Sequence, residues 1–159
     1  MECNAPMKEL LGAVAVLPQI HPALTAIIDE GFDVRAGCYF LAALLRKATN
    51  VSRSSFIDCT GYECFVNSIH IEDYDDQAPL AQAVQFISRV FSGWRTWTYT
   101  SSLVAIVGGN ESSVVVKFHA KRPTERWLSD DIELYDDPTM SVESSEDFAA
   151  MLTSLRRRV

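Results

Sequence analysis

WTYTSSLVAIVGGNESSVVVKFHA, residues 97–120, is the stretch on which the fold turns. Two runs rich in β-branched residues flank Gly108-Gly109-Asn110-Glu111, the pattern of an antiparallel hairpin closed by a glycine turn. Alternation along the second run puts Val114, Val116, Phe118 and Ala120 on one face and Val115, Lys117 and His119 on the other. A sheet with one apolar face must be covered, and the flanking sequence offers helices to cover it.

Upstream, Leu80, Ala83, Val84, Ile87, Val90 and Phe91 recur at helical spacing and predict a helix from Pro79 to Phe91, stopped by Gly93. Downstream, Pro138 introduces a turn, and Thr139, Met140, Ser141 and Val142 read as a brief strand. A final helix follows, capped by Ser144 or Ser145, with Glu146 and Asp147 in its first turn. Phe148, Met151, Leu152 and Leu155 turn inward, and Arg156, Arg157 and Arg158 close it, so its charges oppose the helix dipole at both ends. Before the hairpin, FID, CTGYE and CFVNSIHIE read as strand, turn and strand.

The first fifty residues read helical. Leu10, Leu11, Val14 and Leu17 form one stripe up to Pro18, and a second helix from Pro22 places Leu24, Ile27 and Ile28 inward before Gly31. A third, capped by Asp33, runs to the basic pair Arg46-Lys47. The whole is an α+β chain folded as one domain over residues 1–159. Residues 1–50 are helical, 54–142 hold strands with one helix, and 143–158 form the last helix; the sheet is small, mainly antiparallel and covered by helices.

Composition fits this size of core: 159 residues, 48% hydrophobic and 22% charged. The longest apolar stretch, residues 36–45, is half of the roughly 20 residues a membrane span needs, and no basic segment precedes the apolar run near the start. The expected setting is the cytoplasm, with no membrane partner. Cys3, Cys38, Cys59 and Cys64 are then expected to be reduced, and without a second Cys or His pair at ligand spacing neither metal nor other cofactor is expected.

Charge is the informative quantity. The net −7 is concentrated: residues 72–76 carry −4 and residues 125–149 carry −8, which leaves +5 for the remainder. Direct nucleic-acid binding needs the opposite layout, and a small-molecule substrate is not indicated. One phrase occurs twice, IEDYDDQ at residues 71–77 and IELYDDP at residues 132–138. The first reads as a strand end followed by helix-capping acids, with His70, Glu72 and Asp73 as the alternative acid–base or metal cluster. The second belongs to a longer acidic run that capping does not account for: after Arg126 no base follows until Arg156. Trp127 and Tyr135 stand among its carboxylates, a suitable anchor set for a basic protein. His119 reads as a solvated residue, and no nucleophile or phosphate-loop motif accompanies it.

The run WLSDDIELYDDP at residues 127–138, in a small acidic α+β chain with a short amphipathic helix after it, resembles the immunity proteins of bacterial polymorphic toxin systems, including contact-dependent growth inhibition. That resemblance implies a non-enzymatic protein whose partner is a cognate toxin domain, often a nuclease with a basic cleft. It implies that Asp130, Asp131, Glu133, Asp136 and Asp137 enter the cleft, that Trp127 and Tyr135 anchor it, and that Glu72, Asp73, Asp75 and Asp76 add a second contact. The alternatives are a small enzyme using carboxylates and His70 in a pocket, and an acidic adaptor or assembly subunit.

Overall fold

A computed structural model of the chain describes residues 1–98 and 100–157; Tyr99 and the C-terminal Arg158 and Val159, the last of the expected arginine run included, lie outside the described residues. The hairpin forms as its sequence dictates. β5 (Leu103–Gly109) and β6 (Val114–Ala120) pair antiparallel, with Ala105 opposite Phe118 and Gly109 opposite Val114. Gly109 adopts φ +143°, and a Cβ there would stand 1.9 Å from the Ser113 carbonyl oxygen, so the turn admits only glycine. The Asn110 side chain accepts from the Ser112 and Ser113 amides and holds the turn closed.

Three short strands complete an antiparallel sheet around this pair: β1 (Glu2–Cys3), β4 (Ser68–His70) and β7 (Thr139–Glu143), in the order β1-β7-β5-β6-β4. One face is wholly apolar. Ala105, Val107, Val116, Phe118, Met140 and Val142 are buried there beneath α5 (Pro79–Trp97), whose Val84, Phe86, Ile87, Val90, Phe91 and Trp94 are also buried. Burial of one such large side chain contributes about 1.5–3 kcal/mol, so this layer is the main source of stability. The remaining helices are α1 (Ala5–Ala13), α2 (Pro22–Asp29), α3 (Ala42–Lys47), α4 (Cys59–Val66) and α6 (Phe148–Arg156). No helix among the described residues is long and apolar enough to cross a membrane. The architecture is α+β, with helices on one face of an antiparallel sheet.

The first third departs from the helical expectation. Residues 32–41 form a hairpin of β2 (Phe32–Arg35) and β3 (Cys38–Leu41) joined at Ala36 and Gly37, both at positive φ, 52° and 73°. Two consecutive left-handed residues make the tight turn that suits the twist of a two-residue hairpin. Asp33 therefore lies in a strand and caps no helix; its carboxylate accepts from the Val34 amide. Residues 59–66 reverse the other way, from expected turn and strand to helix, because Asp58 accepts from the Gly61 amide at 2.7 Å and starts α4. The α5 helix passes through Gly93 to Trp97, carrying Trp94 and Trp97 against the Phe32 ring. The last helix is capped by Asp147, which accepts from the Ala150 amide, rather than by Ser144 or Ser145.

Cys38 and Cys59 form a disulfide between β3 and α4, correcting the expectation of four free thiols; Cys3 and Cys64 are free and buried. Beside the bridge, α4 and its C-cap present two fully or nearly fully buried polar side chains four residues apart, Glu63 and Asn67. Glu63 accepts from the amides of Tyr39 in β3 and Ala120 in β6, at 2.7 and 2.8 Å, and both its oxygens receive the Arg122 guanidinium. The Asn67 side chain accepts from the Leu41 amide and donates to the carbonyls of Tyr39 and Phe118. Two side chains thus do along β3 and the upper part of β6 what a strand's backbone would do between them.

Candidate partner-binding surface

The two copies of I-E-x-Y-D-D adopt the same local structure. Each begins with one turn of 3₁₀ helix, Ile71–Asp73 and Ile132–Leu134, closed by a bond from the tyrosine amide to the isoleucine carbonyl, Tyr74 to Ile71 at 3.0 Å and Tyr135 to Ile132 at 3.3 Å. In each, the glutamate reaches back to the first residue of another element. Glu72 accepts from the Val114 amide at 2.9 Å and from the Ser113 hydroxyl; Glu133 accepts from the Ala5 amide at 3.0 Å and pairs with Lys8. Burial pulls the Glu72 pKa upward, but the hydrogen bonds it receives outweigh this and hold it at about 2. Glu133 is likewise lowered, chiefly by the Ala5 amide.

The aspartates that follow divide into structural and free groups. Asp75 accepts from the amides of Gln77 and Ala78 and prepares the start of α5. Asp76 is exposed, and among the described residues its carboxylate accepts only from the Gln77 side chain. Asp73, Asp136 and Asp137 are exposed, with no hydrogen bond to their carboxylates among the described residues. Asp131 accepts from the Glu133 amide, and Asp130 pairs with Arg126 one helical turn earlier in sequence. The Tyr135 hydroxyl accepts from the Ser129 amide, while the carbonyls of Tyr135 and Asp137 receive the side-chain amide of the buried Asn4, the cap of α1. Trp127, 43% exposed, lies 5.7 Å from the Lys117 ammonium.

The sheet brings the two acidic segments to one end. His70, which precedes the first, is opposite Val115, and Thr139, which follows the second, is opposite Gly108. Both therefore flank the closed end of the β5–β6 hairpin. The Gly109 amide donates to the Pro138 carbonyl on one side, and Glu72 receives Val114 on the other. Strands β4 and β7 are three spacings apart, about 14 Å. Asp73 and Asp76 thus share an edge with Asp136 and Asp137, and the exposed Glu111 lies in the turn between.

The proposed catalytic histidine finds no such convergence. His70 contacts Glu72 at 3.2 Å, but its side chain is 56% exposed and Glu72 is committed to the backbone of β6. His119, expected in solvent, is instead 6% exposed, because residues 121–128 pass over the outer face of the sheet as a strap. From that strap Leu128 packs on Val104, Ile106 and Cys64. Strand alternation had the face of His119 right and its environment wrong, since the cover comes from a segment with no periodicity.

Set against curated proteins and against solved structures, the chain has no match. A family model does match, over residues 2–156, which takes in every strand and helix described above: the chain belongs to the Uncharacterized protein PM0498 family.

Proposed function

We propose that the chain is an immunity-type inhibitor. It acts in the cytoplasm and has no catalytic activity of its own, binding a basic toxin domain through the acidic end of its sheet. The observation that carries this reading is that Asp73 and Asp76 lie at the same end of the sheet as Asp136 and Asp137, about 14 Å across it, from segments 61 residues apart in sequence. Exposed like charges gathered on a rigid frame repel one another, and a positively charged cleft relieves that repulsion. They also steer a basic partner, which raises the association rate and makes it sensitive to salt. Glu72, Glu133, Asp75 and Asp131 take the role of framework, since their carboxylates already serve backbone amides.

The test is the fourfold variant D73N/D76N/D136N/D137N, titrated against the basic domain that the native chain captures from cells encoding it. Association should slow by about 10-fold or more at low salt, and its salt dependence should flatten. An unchanged rate and slope, in a variant of unchanged melting temperature, would remove the acidic edge from the interface.

A further inference from the structure

The outer face of the sheet encloses a cavity of about 400 Å³ under the strap, within the range of small-molecule sites. Its floor is two cross-strand rows: His119, Val104 and Glu143 in one, and Ile106, Ser141 and Glu2 in the next. Trp127 and Leu128 form its roof. These rows lie toward the end of the strands opposite the acidic edge.

Its basic groups are all paired with acids, and among its own acids Glu2 alone is left without an ion-pair partner among the described residues. Lys121 pairs with Glu143 at 2.6 Å, Arg122 with Glu63 and Glu125, Arg126 with Asp130, and the Met1 amino group with Glu146. An anionic ligand would have to break one of these pairs to find a counter-charge. His119 is different. Its Nδ1 stands 2.9 Å from the Ala120 carbonyl, which can only accept, so the hydrogen sits on Nδ1. Burial lowers the pKa of this imidazole from its ordinary value, which keeps the ring neutral near pH 7. Nε2 is then a bare acceptor with no partner among the described residues, and it is not among the polar atoms sealed in the interior. Beside it Val104, Ile106 and Leu128 offer apolar contact.

We propose that this cavity binds a small amphipathic molecule without negative charge, which rests an apolar ring on Val104, Ile106 and Leu128 and donates one N–H or O–H hydrogen bond to His119 Nε2. The site is independent of the inhibitor reading and stands or falls without it.

Three probes of one shape test it: indole, 1-methylindole, which lacks the donor, and indole-3-acetate, which adds a negative charge. Binding is followed by nuclear magnetic resonance at the His119 ring and the Trp127 indole N–H. Indole should give saturable shifts, and 1-methylindole should bind about 10-fold more weakly, because it covers the acceptor without giving it a hydrogen bond. Indole-3-acetate should bind no more tightly than indole. Ser141→Phe, which fills the cavity from the floor, should abolish the shifts while the melting temperature holds. If that variant is unstable, indole against 1-methylindole on the native chain decides. Equal affinity for those two, tighter binding of the acetate, or no saturation by indole up to its solubility limit would each overturn the proposal.

Discussion

Glu63→Gln is the sharpest perturbation the fold offers. The native carboxylate is fully buried and accepts four hydrogen bonds, two from backbone amides and two from Arg122. The amide keeps the shape but has one acceptor. Whichever way it turns, its NH₂ confronts a backbone N–H, and the guanidinium loses its counter-charge. Breaking a buried ion pair costs about 3–5 kcal/mol. Arg122 keeps Glu125 at 3.2 Å as a second partner, which argues for the lower end, about 3 kcal/mol. Against a total of about 5–15 kcal/mol for an ordinary domain, that is a large fraction. Guanidinium unfolding followed by tryptophan fluorescence measures it. The control is Glu125→Gln, which removes partners less deeply buried and should cost about 1 kcal/mol. The double variant E63Q/R122Q should cost less than the sum of its parts, because each single change strands the other residue's polar group. A loss below about 1 kcal/mol for E63Q would refute the view that this residue joins β3 to β6.

Reducing the Cys38–Cys59 bridge, which spans a sequence separation of 21, should cost about 3 kcal/mol by loop entropy. Melting with and without dithiothreitol measures this, and an unchanged midpoint would count against it. Rapid alkylation of the cells that make the protein tests the proposed compartment as well: four trapped thiols fit a reducing cytoplasm, and an intact bridge an oxidising one. Glu72 supplies a pH dependence. Its folded pKa of about 2 lies below the ordinary 4.5, so its contribution is complete above about pH 5 and is lost as pH falls toward 2. Glu72→Gln should therefore flatten part of the decline in melting temperature between pH 5 and pH 2, and an undiminished slope would contradict the assignment.

The parts of this fold that can be read locally are those whose apolar period is unbroken. The hairpin from Leu103 to Ala120, the stripe of α5 and the strand after Pro138 each specify themselves within a continuous run of local sequence. Residues 32–41 mislead because their apolar character suits a buried helix as well as a strand, and Gly37 is the one cue that separates them. Gly61 misleads in the opposite sense: it looks like a turn but follows an aspartate cap. The acidic surface was half visible. Which acids are committed to the framework depends on the amides of Ala5 and Val114, which lie 128 and 42 positions from Glu133 and Glu72, and no local pattern marks those partners. Glu63 and Arg122 escaped for the same reason, being 59 residues apart.

The clamp built by Glu63 and Asn67 also bears on how the protein avoids its own kind. A strand end with free amides and carbonyls invites the edge of another chain, and natural sheets blunt such edges with very short strands or with a cover. Here β1 and β4, the terminal strands, are two and three residues long. Beyond β4, the rest of β6 is occupied by side chains of a helix, which cannot be extended by a further strand. Without those two side chains, β3 and β6 would each present a ready template. Variants of α4 should therefore fail by self-association as well as by unfolding, and the buried polar pair is a guard against aggregation as much as a source of stability.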